Sequence, residues 1–259
     1  MSEFVKRNIS TFVAFFILAT VFYMGEIAMH SLVTLTGILM IFELNRALEI
    51  QKSIVGYLSV ILIGISVHFD IKMEPFTAAV CTLNVLLFVF SSSNIKKFAV
   101  ASLSIVYIAI PIYFALKILK LYGTSYFLLS LLIPMMTDIF AYITGRLIGR
   151  TKLVPKISPK KTVEGLIGGL MISTLISGTY MIYVLHLPMH ILYCFIPIVI
   201  LLSLVSQFGD FAASKIKREI GIKDYGDIIP GHGGLLDRFD SYLLVFPTFF
   251  VFLSYVSIP

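Results

Sequence analysis

The 259-residue sequence has no tryptophan, only two cysteines and only 13% charged residues. A soluble chain carries about 25% charged residues. One large buried core does not account for the deficit, because a soluble domain of this length still needs a polar exterior; a bilayer acting as solvent does. The 58% hydrophobic content and the mean hydropathy of +0.98 agree. Cys81 and Cys194 sit inside apolar runs, with neither metal-ligand spacing nor disulfide density, and read as small buried hydrophobes. No internal repeat or low-complexity tract is visible. The net charge of +6 comes without interleaved aromatic and basic residues, so it does not point to nucleic acid. The first apolar stretch, Thr11 to Met24, is followed by others and by no A-x-A-like cleavage site. It is therefore not a lone signal peptide.

Apolar runs able to cross about 30 Å of hydrocarbon fall at roughly 9–24, 27–44, 53–69, 75–91, 98–118, 125–145, 164–186, 190–209 and 241–257. The expected fold is an all-α integral membrane protein of about nine transmembrane helices. Pro111, Pro134, Pro197 and Pro247 lie inside these runs and predict kinks. Loop charge sets the orientation. With the N-terminus cytoplasmic and the C-terminus outside, 17 of the 20 basic residues fall on the cytoplasmic side, and only Lys72, Lys117 and Lys120 lie outside. Residues 138–240 hold 11 of the 20 Lys/Arg and 8 of the 14 Asp/Glu. The expected division is into N-terminal scaffold helices over 1–124 and a C-terminal region over 125–259 that would be the catalytic part, with its site facing the cytoplasm.

Three constellations carry chemistry. In the first, Asp138, Tyr142, Arg146 and Arg150 recur every four residues and share one helix face, beside a small-residue stripe at Ala141, Gly145 and Gly149. An aspartate two turns inside the membrane boundary needs a partner, a cation or water. The plainer reading is an Asp–Arg network that only orders the helix end. In the second, Ser158 and Pro159 resemble an N-cap with proline at the first helical position. A helix starting there would set its positive end beside Lys160 and Lys161, which suits an anion; simple positive-inside anchoring explains the lysines equally well. Gly165, Gly169, Ser173 and Ser177 then repeat every four residues as a helix-packing seam.

The third constellation closes the charged region. Asp210, Ser214, Lys217 and Arg218 occupy one face of a helix leaving the eighth span. A turn-rich stretch follows and ends in Pro230-Gly-His-Gly-Gly234, whose glycines permit an anion-binding concavity of backbone amides at Gly233 and Gly234. Asp237, Arg238 and Asp240 open the last span. Carboxylates at both helix junctions, flanking a basic glycine-rich loop, suit Mg²⁺, which takes one or two protein carboxylates and leaves positions for water and phosphate oxygens. A merely solvated loop has no reason for this placement. His232 reads as an acid–base group or as a loop-shaping, phosphate-contacting residue. His186 and His190 have i, i+4 spacing, but Pro188 intervenes and no carboxylate is near, so no metal site is expected there.

The run from Ser214 through Ile216-Lys217-Arg218, Lys223-Asp224, Gly226, Ile229-Pro230, His232-Gly233-Gly234-Leu235 and Asp237-Arg238-Phe239-Asp240 resembles the signature of phosphatidate cytidylyltransferases, or CDP-diacylglycerol synthases. The Asp138–Arg150 run and Ile157-Ser-Pro-Lys-Lys-Thr-x-Glu-Gly165 are similar to the same family. The likeness is strong over residues 130–245, and before them it rests on hydropathy alone. It implies attack of a phosphatidic acid phosphate on the α-phosphorus of CTP, with divalent metal, no organic cofactor and a site at the cytoplasmic face of a bacterial inner membrane. The implied metal ligands are Asp210 and Asp237, with Asp138 and Asp240 as secondary ones. Arg146, Arg150, Lys160, Lys161, Lys217, Arg218 and Arg238 are the implied phosphate contacts, with Ser214, His232 and the amides of Gly233 and Gly234. Homodimerisation is left open, and nucleic acid is not expected as a partner. The rivals are a CTP-using enzyme acting on an isoprenoid lipid or polyprenol, and a transporter. Transporters place sites near the bilayer midplane, often in repeated halves, which this sequence does not show.

Overall fold

The computed structural model describes residues 3–49, 54–71, 80–82, 84–86, 89, 95–155, 158–229, 231 and 233–256. The chain is predominantly helical: α1 Glu3–Met24, α2 Glu26–Ala47, α3 Val55–His68, α4 Ile95–Ser104, α5 Ile110–Ile148, α6 Val163–Tyr183, α7 Met189–Glu219 and α8 Leu236–Tyr255. Two short strands, β1 Lys152–Val154 and β2 Ser158–Thr162, form an antiparallel pair between α5 and α6. Among the described residues, four helical stretches are long and apolar enough to cross a membrane: Glu26–Ala47, Phe98–Ile148, Val163–Tyr183 and Met189–Glu219. The expected span at 75–91 lies largely outside the described residues.

Large side chains such as Phe12, Phe16 and Met171 are more than two-thirds exposed, as expected of helices whose outer solvent is lipid. Cys81 and Cys194 are exposed too. The expectation that they are buried is corrected: each lies on an outward helix surface, where hydrocarbon tolerates a small apolar side chain as well as a protein core does.

The chain forms two compact units, Met1–Lys120 with Ile220–Phe239, and Leu121–Glu219 with Asp240–Pro259. In the first, α2 and α3 pack closely because glycines remove the side chains between them. A Cβ on Gly56 would lie 3.0 Å from Ile41, and one on Gly64 2.9 Å from Thr34. Ile41, Leu44, Val60, Ile108 and Leu116 are fully buried. Between α4 and α5, Ile105–Ala109 forms a π-turn in which the Ile110 amide donates to Ile105 O. Pro111 explains it: without an amide hydrogen, proline cannot continue the regular ladder, and a widened turn absorbs the mismatch. The Lys120 ammonium closes the end of α3 by donating to Val67 O (2.6 Å) and His68 O (2.9 Å). It also pairs with Asp70 at 2.8 Å and, by that hydrogen bond, holds the Asp70 carboxyl below its ordinary range.

In the second unit, small residues join α5, α6 and α7. A Cβ on Gly165 would meet Ala141 O at 2.6 Å, and one on Gly169 would meet Thr137 O at 2.7 Å. Ser173 donates to Ile133 O (3.0 Å), and Ser203 donates to Ser173 Oγ (3.3 Å), all buried. The expected seam of Gly165, Gly169, Ser173 and Ser177 is thus an interior helix contact. Its chemistry is that of membrane helix pairs, where close backbones and inter-helix hydroxyl bonds replace the hydrophobic effect. The expected gap between two spans near residue 120 is a helical run broken at Gly123, whose φ of 82° interrupts α5.

Candidate functional site

Within the second unit, α5, the β1–β2 hairpin, α6 and α7 enclose a cavity of about 540 Å³ whose lining includes Asp138, Arg146, Lys160, Lys161, Gln207 and Asp210. The hairpin brings the lysines there, and this corrects the expected helix start at Ser158. Residues 158–162 form β2, and α6 begins only at Val163, capped by Thr162, whose hydroxyl accepts from the Gly165 amide at 3.1 Å. Ser158-Pro159 has the residue types of a cap, but the helix is capped by Thr162, immediately before the glycine-rich seam that packs against α5. Glu164 reinforces the later start by accepting from the amides of Arg150 and Thr151, both at 3.1 Å. Lys160 and Lys161 therefore stand on an extended strand and not on a helix N-terminus.

Around the cavity the charges are paired through specific contacts. Asp138 accepts from Gln207 Nε2 at 3.2 Å and from Ser241 Oγ at 3.1 Å. Its carboxylate thus engages neutral donors on α7 and α8. Arg146 turns instead to Tyr142 Oη at 3.3 Å. Lys161 forms an ion pair with Asp210, donates to Gln207 Oε1 at 2.7 Å and lies 4.5 Å from the centre of the Phe211 ring. Asp210 also accepts from Ser214 at 3.2 Å, one turn along α7. Asp240 is buried and accepts from the amide of Ser241 at 2.7 Å and from its hydroxyl at 3.3 Å. α7 and α8 can approach so closely because residue 209 is glycine: a Cβ there would lie 2.6 Å from Asp240 O.

The glycine-rich loop and the start of α8 belong to the first unit. Ile229 donates to Gly233 O at 3.0 Å, and Gly233 adopts φ +87°, a conformation open chiefly to glycine. Asp237 Oδ2 accepts from the amides of Tyr225 (2.8 Å) and Gly234 (3.2 Å). Glu43, 1% exposed, accepts from the amides of Leu235 (2.9 Å) and Leu236 (2.7 Å).

The structure gathers Asp138, Arg146, Lys160, Lys161 and Asp210 around one cavity, with Ser214 bonded to Asp210. Lys217 and Arg218 occupy the last turn of α7. Arg150 offers its amide to Glu164 and does not line the cavity. Gly233, Gly234, Asp237 and Arg238 lie on the loop and the first turn of α8, and His232 lies outside the described residues. Three residues escaped the sequence reading: Gln207, Ser241 and Glu43. Glu43 had a signal, since a carboxylate inside an apolar span always needs a partner. Gln207 and Ser241, uncharged, had almost none.

Among the described residues no group of three or more His, Cys, Asp or Glu forms a ready-made metal cage. The donor set is nevertheless hard oxygen throughout, with Asp138 and Asp240 both reaching the Ser241 hydroxyl. That fits Mg²⁺, which uses few protein carboxylates, and does not suit a metal needing thiolate or imidazole ligands.

Fold and site together define a helical membrane protein that concentrates carboxylates and cations around a polar cavity. The family model described as the Cytidylyltransferase family matches residues 5–256, and the chain belongs to that family. A phosphatidate cytidylyltransferase of Bacillus subtilis is 30% identical over 99% of this chain and 100% of its own length. One of Staphylococcus saprophyticus is 48% identical over 48% of this chain, and one of Staphylococcus epidermidis is 47% identical over the same share. These two alignments span about half of the staphylococcal relatives, 47% of each.

Proposed function

We propose that this protein transfers the cytidylyl group of CTP to phosphatidic acid, forming CDP-diacylglycerol and pyrophosphate. A phosphate oxygen of the lipid attacks the α-phosphorus of CTP, a new P–O bond forms, and the bond to the departing pyrophosphate breaks. The observation that carries this reading is the polar cavity where Asp138, Lys161 and Asp210 converge from α5, β2 and α7, in a chain of the cytidylyltransferase family. The nucleophile is already an anionic oxygen, so no strong general base is required. What the protein must supply is charge neutralisation and alignment of two anions.

Lys161, Lys160 and Arg146 face the cavity and receive phosphate oxygens. A phosphate arriving there competes with Asp210 for the Lys161 ammonium and frees that carboxylate. Lys217, Arg218, Arg238 and Arg150 are further phosphate contacts, with Ser214, His232 and the Gly233 amide. The Gly234 amide, already donated to Asp237, joins them only if Asp237 moves. Asp210, with Asp138 and Asp240, would hold Mg²⁺ in the second unit, and Asp237 would do so on the loop. Mg²⁺, when bound, neutralises phosphate oxygens and withdraws charge from the leaving group. Residues 1–124 serve mainly as scaffold and 125–259 as the catalytic region. Nine spans with N-in and C-out topology put both clusters at the cytoplasmic face of a bacterial inner membrane, where CTP arrives from water and the lipid keeps its tails in the bilayer.

The test is lipid-product analysis after incubating purified protein with labelled CTP, Mg²⁺ and phosphatidic acid, with an isoprenoid phosphate as the parallel acceptor. CDP-diacylglycerol is expected from the first acceptor only, and it is expected to be lost in Asp237→Asn. Product from the isoprenoid alone would overturn the substrate. Near-normal Asp237→Asn activity across a Mg²⁺ titration would remove that residue from metal binding.

A further inference from the structure

We propose that Glu43, on α2, is a positioning residue that sets the start of α8 and thereby the place of Asp237; its catalytic meaning rests on the function proposed above. A carboxylate in an apolar helix is costly to retain, and Glu43 is almost wholly buried, yet each of its oxygens has a backbone partner. Oε1 accepts from Leu235 and Oε2 from Leu236. These amides lie at the N-terminus of α8, where helical N–H groups lack intrahelical partners. The usual remedy is a Ser, Thr, Asp or Asn side chain at the cap. Position 235 is leucine and can offer none. Glu43 supplies the missing acceptor from 192 residues earlier in the chain, and its negative charge meets the positive end of the helix dipole.

The same carboxylate accounts for one glycine, Gly226, that positive φ does not require, and shares in crowding a second, Gly234, with Asp237 and the Gly226 amide nitrogen. Gly226 and Gly234 are not among the glycines with positive φ. A Cβ on Gly226 would nonetheless lie 2.7 Å from Glu43 Oε1, 3.0 Å from Cδ and 3.1 Å from Cγ, its three nearest neighbours. A Cβ on Gly234 would lie 2.8 Å from Glu43 Oε2 and 2.8 Å from Asp237 Oδ2. Two carboxylates thus clamp one loop: Glu43 through Leu235 and Leu236, and Asp237 through Tyr225 and Gly234. Asp237 can be held in one place only while Glu43 keeps the first turn of α8 in register.

The experiment uses the full-length protein in detergent micelles with Glu43→Gln, Gly226→Ala, Glu43→Asp and the Glu43→Asp/Gly226→Ala double variant. A glutamine offers one acceptor oxygen and turns an NH₂ toward the second amide. Hydrogen exchange at the Leu235 and Leu236 amides is expected to quicken at least tenfold in Glu43→Gln. The turnover number should fall at least tenfold and the Mg²⁺ requirement rise, while the KM for CTP moves less than threefold. Gly226→Ala alone should also cost at least tenfold in turnover and loosen the same amides. Added to Glu43→Asp, whose shorter side chain withdraws from the new methyl, it should cost less than threefold in both readouts. Unchanged exchange in Glu43→Gln, or an equal Gly226→Ala cost in both backgrounds, would overturn the proposal. Should Glu43→Gln fail to fold, the Gly226 comparison decides. If the wild type makes no CDP-diacylglycerol, the functional reading fails, and the exchange data still decide whether Glu43 holds these amides.

Discussion

Asp138 offers a way to separate charge from hydrogen bonding. Asp138→Asn preserves size and still meets both neighbours: its carbonyl accepts from Gln207 Nε2, and its NH₂ donates to the Ser241 hydroxyl, which can rotate to accept it. A retained hydrogen bond is worth about 1 kcal/mol net, so the asparagine variant should stay within about 1 kcal/mol of wild type. Asp138→Ala deletes both acceptors. Ser241 keeps Asp240 as a partner, but Gln207, 2% exposed, is left with a buried amide lacking its acceptor, at a cost of about 1–3 kcal/mol. For a chain of this size that corresponds to a fall of about 4–8 °C in Tm at 2 kcal/mol. Melting of detergent-solubilised protein, followed by size-exclusion recovery, measures both variants, and labelled-CTP transfer measures activity. The expected pattern is a normal Tm with a hundredfold or greater loss of activity for asparagine, and loss of both for alanine. If asparagine melts as low as alanine, the negative charge holds the network together. If asparagine is fully active at every Mg²⁺ concentration, Asp138 handles neither cation nor phosphate.

Two further outcomes test the packing and the cavity. Gly169→Ala forces a methyl onto Thr137 O and should lower stability by about 1–3 kcal/mol. Gly178→Ala, with nothing within 4 Å of the new methyl, should raise it by about 0.5–1 kcal/mol through helix propensity; equal melting shifts would refute the tight α5–α6 contact. Lys161→Met removes the partner of Asp210 and a donor to Gln207, and bonds to charged groups are worth about 1.5–3 kcal/mol. The KM for CTP should therefore rise about 10–100-fold, and a steady-state titration showing an unchanged KM would exclude a phosphate role.

Helices and their seams were legible because hydropathy and four-residue spacing are local properties. Asp210–Ser214 and the Gly165–Ser177 seam could be read for that reason. The hairpin at 152–162 was not, since its strands are short and Ser158-Pro159 imitates a helix start. Its identity is decided by what Thr162 and Glu164 reach, which is a matter of tertiary contact. Asp138 was legible as a buried charge needing a partner, but the donors it meets are not the arginines eight and twelve residues along its own helix face. The partners, Gln207 and Ser241, lie 69 and 103 residues away and carry no charge to announce them. Glu43 was hidden differently: its span resembled plain scaffold, and only folding brings it to the loop where it accounts for Gly226.

The Ser241 hydroxyl stands within reach of both Asp138 and Asp240, yet it owns a single proton. It can serve one carboxylate at a time, and Asp240 retains the Ser241 amide whichever way the hydroxyl turns. The rotor is thus a two-position allocator. A cation held by one aspartate would leave the hydroxyl hydrogen to the other, so the two carboxylates could exchange hydrogen-bonding strength through a single rotation about one side-chain bond, with no helix required to move.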